Sequence, residues 1–158
     1  MSTPIAFGTR VGFDYGDKRI GVATSDTESI LVSPHSTILN DAKIEIKLKE
    51  IIAEFDPIYV VVGNPKHLSG SLSQKSALAL KFANLIKSFY DRPIYLVDER
   101  LSTVNSNSKL RDVGISERNA KSIIDQIAAI AILENALANE KSGRPIGDLI
   151  WKNILACL

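Results

Sequence analysis

Cysteine is nearly missing from this sequence. Cys157 is the only one in 158 residues, so no intramolecular disulfide and no cysteine-built zinc site can form. Cys157 itself, in an apolar tail, reads as a small hydrophobe. Histidine is almost as scarce: His35 and His67 stand alone, without a Cys or Ser partner at a recognisable spacing, and read as surface or packing residues rather than catalytic ones. No apolar run approaches the roughly 20 residues that cross a bilayer, and the N-terminus lacks the basic-then-apolar pattern of a signal peptide. A soluble, cytoplasmic protein with no membrane partner is expected. An excess of one charge is also lacking: 19 Lys and Arg against 18 Asp and Glu leave a net charge of +1. Composition therefore does not announce a nucleic-acid binder, and any such role must rest on where the charges lie. Lys109, Arg111, Arg118 and Lys121, with Arg100 shortly before them, fit either a solvated helix face or a phosphate-binding patch.

What is present fits one globular domain, with 45% hydrophobic and 23% charged residues. Residues 4 to 13 and 19 to 25 are short and β-rich and flank the turn Asp14-Tyr15-Gly16-Asp17-Lys18, which predicts a hairpin. Residues 29 to 38 extend it to a meander, with Pro34 arguing for an edge position or a break. From Asn40 the apolar spacing becomes helical and ends before Asp56-Pro57. Residues 58 to 62 and 93 to 97 are continuous apolar runs expected of buried parallel strands, with a helix over 73 to 90 between them. Ser102 or Thr103 can cap a helix to about Asp112, and Ser116-Glu117 opens another that is apolar on almost every side. The expected fold class is α/β, a mixed sheet of a three-stranded antiparallel meander plus parallel strands, flanked by helices. Residues 1 to 140 form the expected domain, and 141 to 158 a tail with a short docking helix.

Three carboxylates stand out. Asp14 ends the first strand, where it is either a turn former or a ligand. Asp98 and Glu99 follow the 93 to 97 strand, at the edge where α/β sheets bind ligands, although helix capping would also explain them. Asp125 lies in SIIDQIAAIAIL, where a buried charge costs several kcal/mol unless it is protonated, paired or bound to a cation. Lys121, four residues upstream, is the pairing candidate in sequence. If Asp14, Glu99 and Asp125 converge, their oxygens suit Mg²⁺ or Mn²⁺. Two such ions roughly 4 Å apart can promote in-line hydrolysis of a phosphodiester.

Four blocks carry a family resemblance: FDYGDKRIGVATSD (13 to 26), VVVGNPKHLSGS (60 to 71), VDERLST (97 to 103) and IIDQIAAIAIL (123 to 133). In this order and spacing the chain resembles the YqgF, or RuvX, proteins of the RNase H-like superfamily, which includes the RuvC resolvases. The resemblance implies an RNase H-like fold and a metal-holding catalytic triad of Asp14, Glu99 and Asp125, with Asp98 assisting. It implies nucleic-acid contacts from Lys18, Arg100 and Asn64, to which the basic placement adds Arg118 and Lys121. Asn64 itself departs from the family's usual Leu, and His67-Leu68-Ser69-Gly70 from its usual Asn-x-x-Gly; these departures bear on the loop contacts that the resemblance implies and not on the triad.

The implied activity is endonucleolytic, on structured nucleic acid. The favoured substrate is precursor 16S ribosomal RNA, cut at its 5′ end, with ribosomal particles as the setting; the alternative is a four-way DNA junction. A resolvase making paired cuts is normally a stable dimer, whereas this chain has no clear dimerisation helix and is expected to be a monomer or weak homodimer. Two other classes compete. An actin-like ATPase would share the Asp-x-Gly turn but needs a second domain, and a binding-only assembly factor would not need the three acids.

Overall fold

The computed structural model describes residues 6–64, 74–98 and 117–150, with the backbone alone described at 64, 74, 75 and 117–122. Six strands form one mixed sheet: β1 (Arg10–Asp14), β2 (Arg19–Ser25), β3 (Val32–Leu39), β4 (Tyr59–Asn64), β5 (Ile94–Asp98) and β6 (Asp148–Leu149). Their order is β3-β2-β1-β4-β5-β6. β1, β2 and β3 pair antiparallel as the expected meander, and β4 and β5 join β1 in parallel. Pro34 lies in β3, an edge strand, where its missing N–H costs no ladder bond, and the pairing shifts register between Val22 and Ala23 opposite it.

Helices α1 (Ile44–Phe55) and α2 (Gln74–Lys87) cover one face, and α3 (Glu117–Lys141) crosses the other. α1 stops because Asp56 turns left-handed at φ 42° and returns its N–H to the Ile52 carbonyl at 2.8 Å, with Pro57 next. Val11 and Phe13 of β1 join Leu48, Ile51, Phe82 and Ile86 in the larger core cluster. Strand alternation then sends Arg10, Gly12 and Asp14 toward α3. The expected helix over 102 to 112 lies outside the described residues.

α3 is seated at three points. A Cβ on Gly12 would stand 3.0 Å from Leu133 Cβ and 3.3 Å from the Ala129 carbonyl, so the helix rests directly on the strand. At one end, a Cβ on Gly21 would overlap the Asp125 carbonyl and stand 3.0 Å from Gln126 N. At the other, the fully buried Arg10 forks onto Glu140, Nε to Oε1 at 3.1 Å and Nη2 to Oε2 at 2.8 Å. Its remaining donors satisfy the Gly8 and Ala6 carbonyls at 2.6 and 2.7 Å. Tyr59 donates to Glu140 Oε1 at 2.7 Å, and burial with the adjacent carboxylate pushes its phenol up, so it stays a donor.

Because Gly21 leaves no room for a methyl, Gly21→Ala should push α3 off β2. An expected loss of about 1–3 kcal/mol in urea unfolding, the usual cost of overpacking, checks this contact. An unchanged midpoint would mean that the helix does not sit this close.

The tail, expected to carry a short docking helix, adds β6 in its described part, antiparallel to β5, with the Ile150 N–H donating to the Ile94 carbonyl at 2.8 Å. Gly147 permits it, since a Cβ there would overlap the Leu96 carbonyl, and the pairing satisfies backbone groups that β5 would otherwise leave open. Residues 151–158 lie outside the described set. Along α3, Ala128, Ala129, Ile132, Leu133, Ala136 and Leu137 are buried, while Ile123, Ile124, Ile127 and Ile130 are half-buried. The helix lies on one face of the sheet and turns its other side outward.

Candidate active site

Asp14 is the last residue of β1, half-buried, and pairs in register with Gly21 of β2. Gly21 is the residue on which the Asp125 backbone rests. One hairpin register and one glycine therefore bring Asp14 and Asp125, far apart in sequence, to the same corner of the sheet on its α3 face. Gln126 pins the same helical turn to β3, its Nε2 donating to Thr37 Oγ1 at 3.1 Å.

Asp125 does not stand unpaired. Arg19 Nε donates to its Oδ2 at 3.1 Å, with the carboxylate side chain 20% exposed and the arginine 36%. Burial pushes the Asp125 carboxyl above the usual aspartate range, and the Arg19 guanidinium pulls it partly back. Lys121, the partner available from sequence spacing, has no described side chain; the partner found is a strand residue 106 positions away. Arg19 is the residue that the sequence reading missed. The signal was present: once Asp14 pairs with Gly21, alternation along β2 puts Arg19 on the same face as Gly21 and Ala23.

In metal-free protein, the carboxyl-carbon NMR titration of Asp125 should have a midpoint above an ordinary aspartate, and Arg19→Met should move it higher still. A midpoint unmoved by the substitution would show that Arg19 does not act on this carboxylate.

Asp98 ends β5 and is opposite Asn64 in the parallel register, two strands from Asp14, about 10 Å at the normal strand spacing. Glu99, the remaining acid expected at the site, lies outside the described residues, as does Arg100. Among the described residues no three His, Cys, Asp or Glu form a cluster that could hold a metal. Asp14 and Asp125, brought to one corner by the Gly21 register, offer carboxylate oxygens, and Asp125 is disfavoured in its charged form by burial; this donor chemistry fits a hard divalent cation. Lys18 is exposed in the β1–β2 turn, its carbonyl accepting from the Asn40 N–H at 2.9 Å. Arg118 and Lys121 lie in the first turns of α3, and Asn64 at the end of β4; only their backbone is described.

A parallel centre extended by an antiparallel meander, helices on both faces and acids gathered at the strand ends define an RNase H-like α/β domain. Its chain path is similar to that of the RuvC resolvase in "T. thermophilus RuvC in complex with Holliday junction substrate", with a TM-score of 0.60 at 18% identity over 90% of this chain and 99% of that one. It is also similar to the fowlpox virus resolvase in its complex with Holliday junction DNA, with a TM-score of 0.52 at 13% identity over 82% of this chain and 98% of that one.

The chain belongs to the RuvX family, described as Holliday junction resolvase, which matches residues 8–139. Among relatives, a Streptomyces coelicolor protein named "Putative pre-16S rRNA nuclease" is 40% identical over 89% of this chain and 87% of its own. A Neisseria meningitidis protein of the same name is 40% identical over 80% of this chain and 85% of its own.

Proposed function

We propose that this protein is a divalent-metal-dependent endonuclease that matures the 5′ end of precursor 16S ribosomal RNA in the cytoplasm. What supports the chemistry is that Asp14 pairs with Gly21, the residue on which the Asp125 backbone rests. The substrate reading draws on the names of the relatives, which cover most of the chain. Asp14 and Asp125 would hold Mg²⁺ or Mn²⁺, with Glu99, one residue beyond the end of β5, completing the set and Asp98 assisting. A pair of ions at such a site supplies an activated water and stabilises the leaving oxygen at phosphorus. The chain's own part is to hold these carboxylates in place: Arg19 orients Asp125, and β1 and α3 fix the spacing. Lys18, Asn64, Arg100, Arg118 and Lys121 would contact the nucleic-acid backbone. The protein would act as a monomer or weak homodimer on ribosomal precursor particles.

The second reading is cutting of a four-way DNA junction, favoured by the family description and by the RuvC-like chain path. Labelled precursor 16S RNA and a labelled four-way junction, each with Mg²⁺ or Mn²⁺, separate the two. Cutting of the RNA alone supports the proposal, and cutting of the junction alone replaces it with the resolvase reading. Metal-independent binding of both without cutting would leave a non-catalytic assembly factor.

A further inference from the structure

On the face of the sheet opposite Asp125, a cavity of about 240 Å³ opens between the β1–β2 turn, α1 and α2. Its walls are Tyr15, Ile44, Leu78, Phe82 and Leu85, apolar side chains apart from the Tyr15 hydroxyl. Tyr15 is already set against Phe82, centroids 5.2 Å apart at 46°, and Phe82 is wedged edge-on by Phe13 at 5.6 Å. Asn40, also on the lining, ties the β1–β2 turn in place: its Nδ2 donates to the Gly16 carbonyl at 3.0 Å and its N–H to the Lys18 carbonyl at 2.9 Å. Exposed Lys81 borders the cavity, and exposed Lys18 belongs to the turn that Asn40 ties down.

This is less than the roughly 300–1,000 Å³ of a drug-sized pocket and suits one flat ring system. Aromatic walls with cationic groups at the rim match a base attached to an anionic backbone. Tyr15 directly follows Asp14, so the cavity opens at the same end of β1 as the Asp14 corner, on the other face of the sheet, and a strand bound at that end can reach it only by crossing the β1–β2 turn. We propose that the cavity receives one unstacked nucleobase of the strand being cut, with Lys18 and Lys81 against neighbouring phosphates. The proposal rests on the nuclease reading of the Asp14 corner for its occupant.

The test is methyl NMR of the full chain, labelled at Ile and Leu and free of metal, titrated with adenosine 5′-monophosphate, ribose 5-phosphate and a hexaadenylate RNA. The monophosphate should shift the methyls of Ile44, Leu78 and Leu85 and bind at least about 5-fold more tightly than ribose 5-phosphate, the contribution expected of stacking. Leu78→Trp, which fills the cavity, should weaken it by a similar factor. Hexaadenylate should bind more tightly than the monophosphate, and Lys81→Ala, on the exposed rim, should remove part of that gain. Equal binding of ribose 5-phosphate, or no shift in these methyls, would overturn the base site. Hexaadenylate binding no more tightly than the monophosphate would make this a free-nucleotide site. Because neither metal nor cleavage is involved, a chain that cuts RNA but ignores these probes loses only the pocket. One that binds them but cuts nothing loses the nuclease reading.

Discussion

Asp14→Asn and Asp125→Asn should each lower cutting of the substrate by roughly 10³-fold or more while the protein stays folded, a loss of about 4 kcal/mol of transition-state stabilisation. Asparagine keeps the shape of the side chain but gives up the charge that a hard cation requires. For Asp125 the stability effect has a definite sign. Its folded-state carboxyl is raised, chiefly by burial, so the native state holds its proton to higher pH than the unfolded chain does. Ionising it therefore costs stability as pH rises through that raised value. At neutral pH Asp125→Asn should unfold at the same temperature as wild type or slightly above. Any advantage should vanish once acidification protonates the wild-type residue in both states. Arg19, already partly in solvent, loses little when its partner goes. Unfolding of the Asp125→Asn protein, or retained cutting, would make this carboxylate a structural residue.

Glu140→Ala should destabilise the fold by about 3–5 kcal/mol, because it leaves the buried Arg10 guanidinium without its counter-charge. The Tyr59 hydroxyl loses its acceptor at the same time. A double substitution, Arg10→Met with Glu140→Leu, should recover much of that loss, since an apolar pair requires no charge to be taken out of water. Urea unfolding of the three proteins measures this. A loss below about 1 kcal/mol for Glu140→Ala would mean that water reaches Arg10 when the carboxylate is removed. Glu140 lies at the opposite end of α3 from Asp125, so Glu140→Ala protein that remains folded should still cut.

The contrast between these two carboxylates shows what could be read in advance. Asp125 was legible because SIIDQIAAIAIL gives a charge nowhere inexpensive to go. Its partner was not, because Arg19 is brought to it by a hairpin register and not by helical spacing. Arg10 gave no warning, since a basic residue opening a strand usually points to solvent; only the return of α3 across β1 buries it. The meander, the two parallel strands and the edge position of β3 followed from apolar runs and Pro34. β6 could not, since Asp148–Leu149 is too short to show any period and exists because β5 offers an open edge. The half-buried isoleucines of α3 mark a further limit: an apolar run records what a helix can bury, whereas its neighbours decide how much it does.

Whether Asp14 and Asp125 share a divalent cation is measured by Mn²⁺ binding to the full chain, followed by electron paramagnetic resonance. Wild type should bind Mn²⁺, Mg²⁺ should displace it, and Asp14→Asn and Asp125→Asn should each weaken binding by about 10-fold or more. Equal Mn²⁺ affinity in all three proteins would contradict a shared cation.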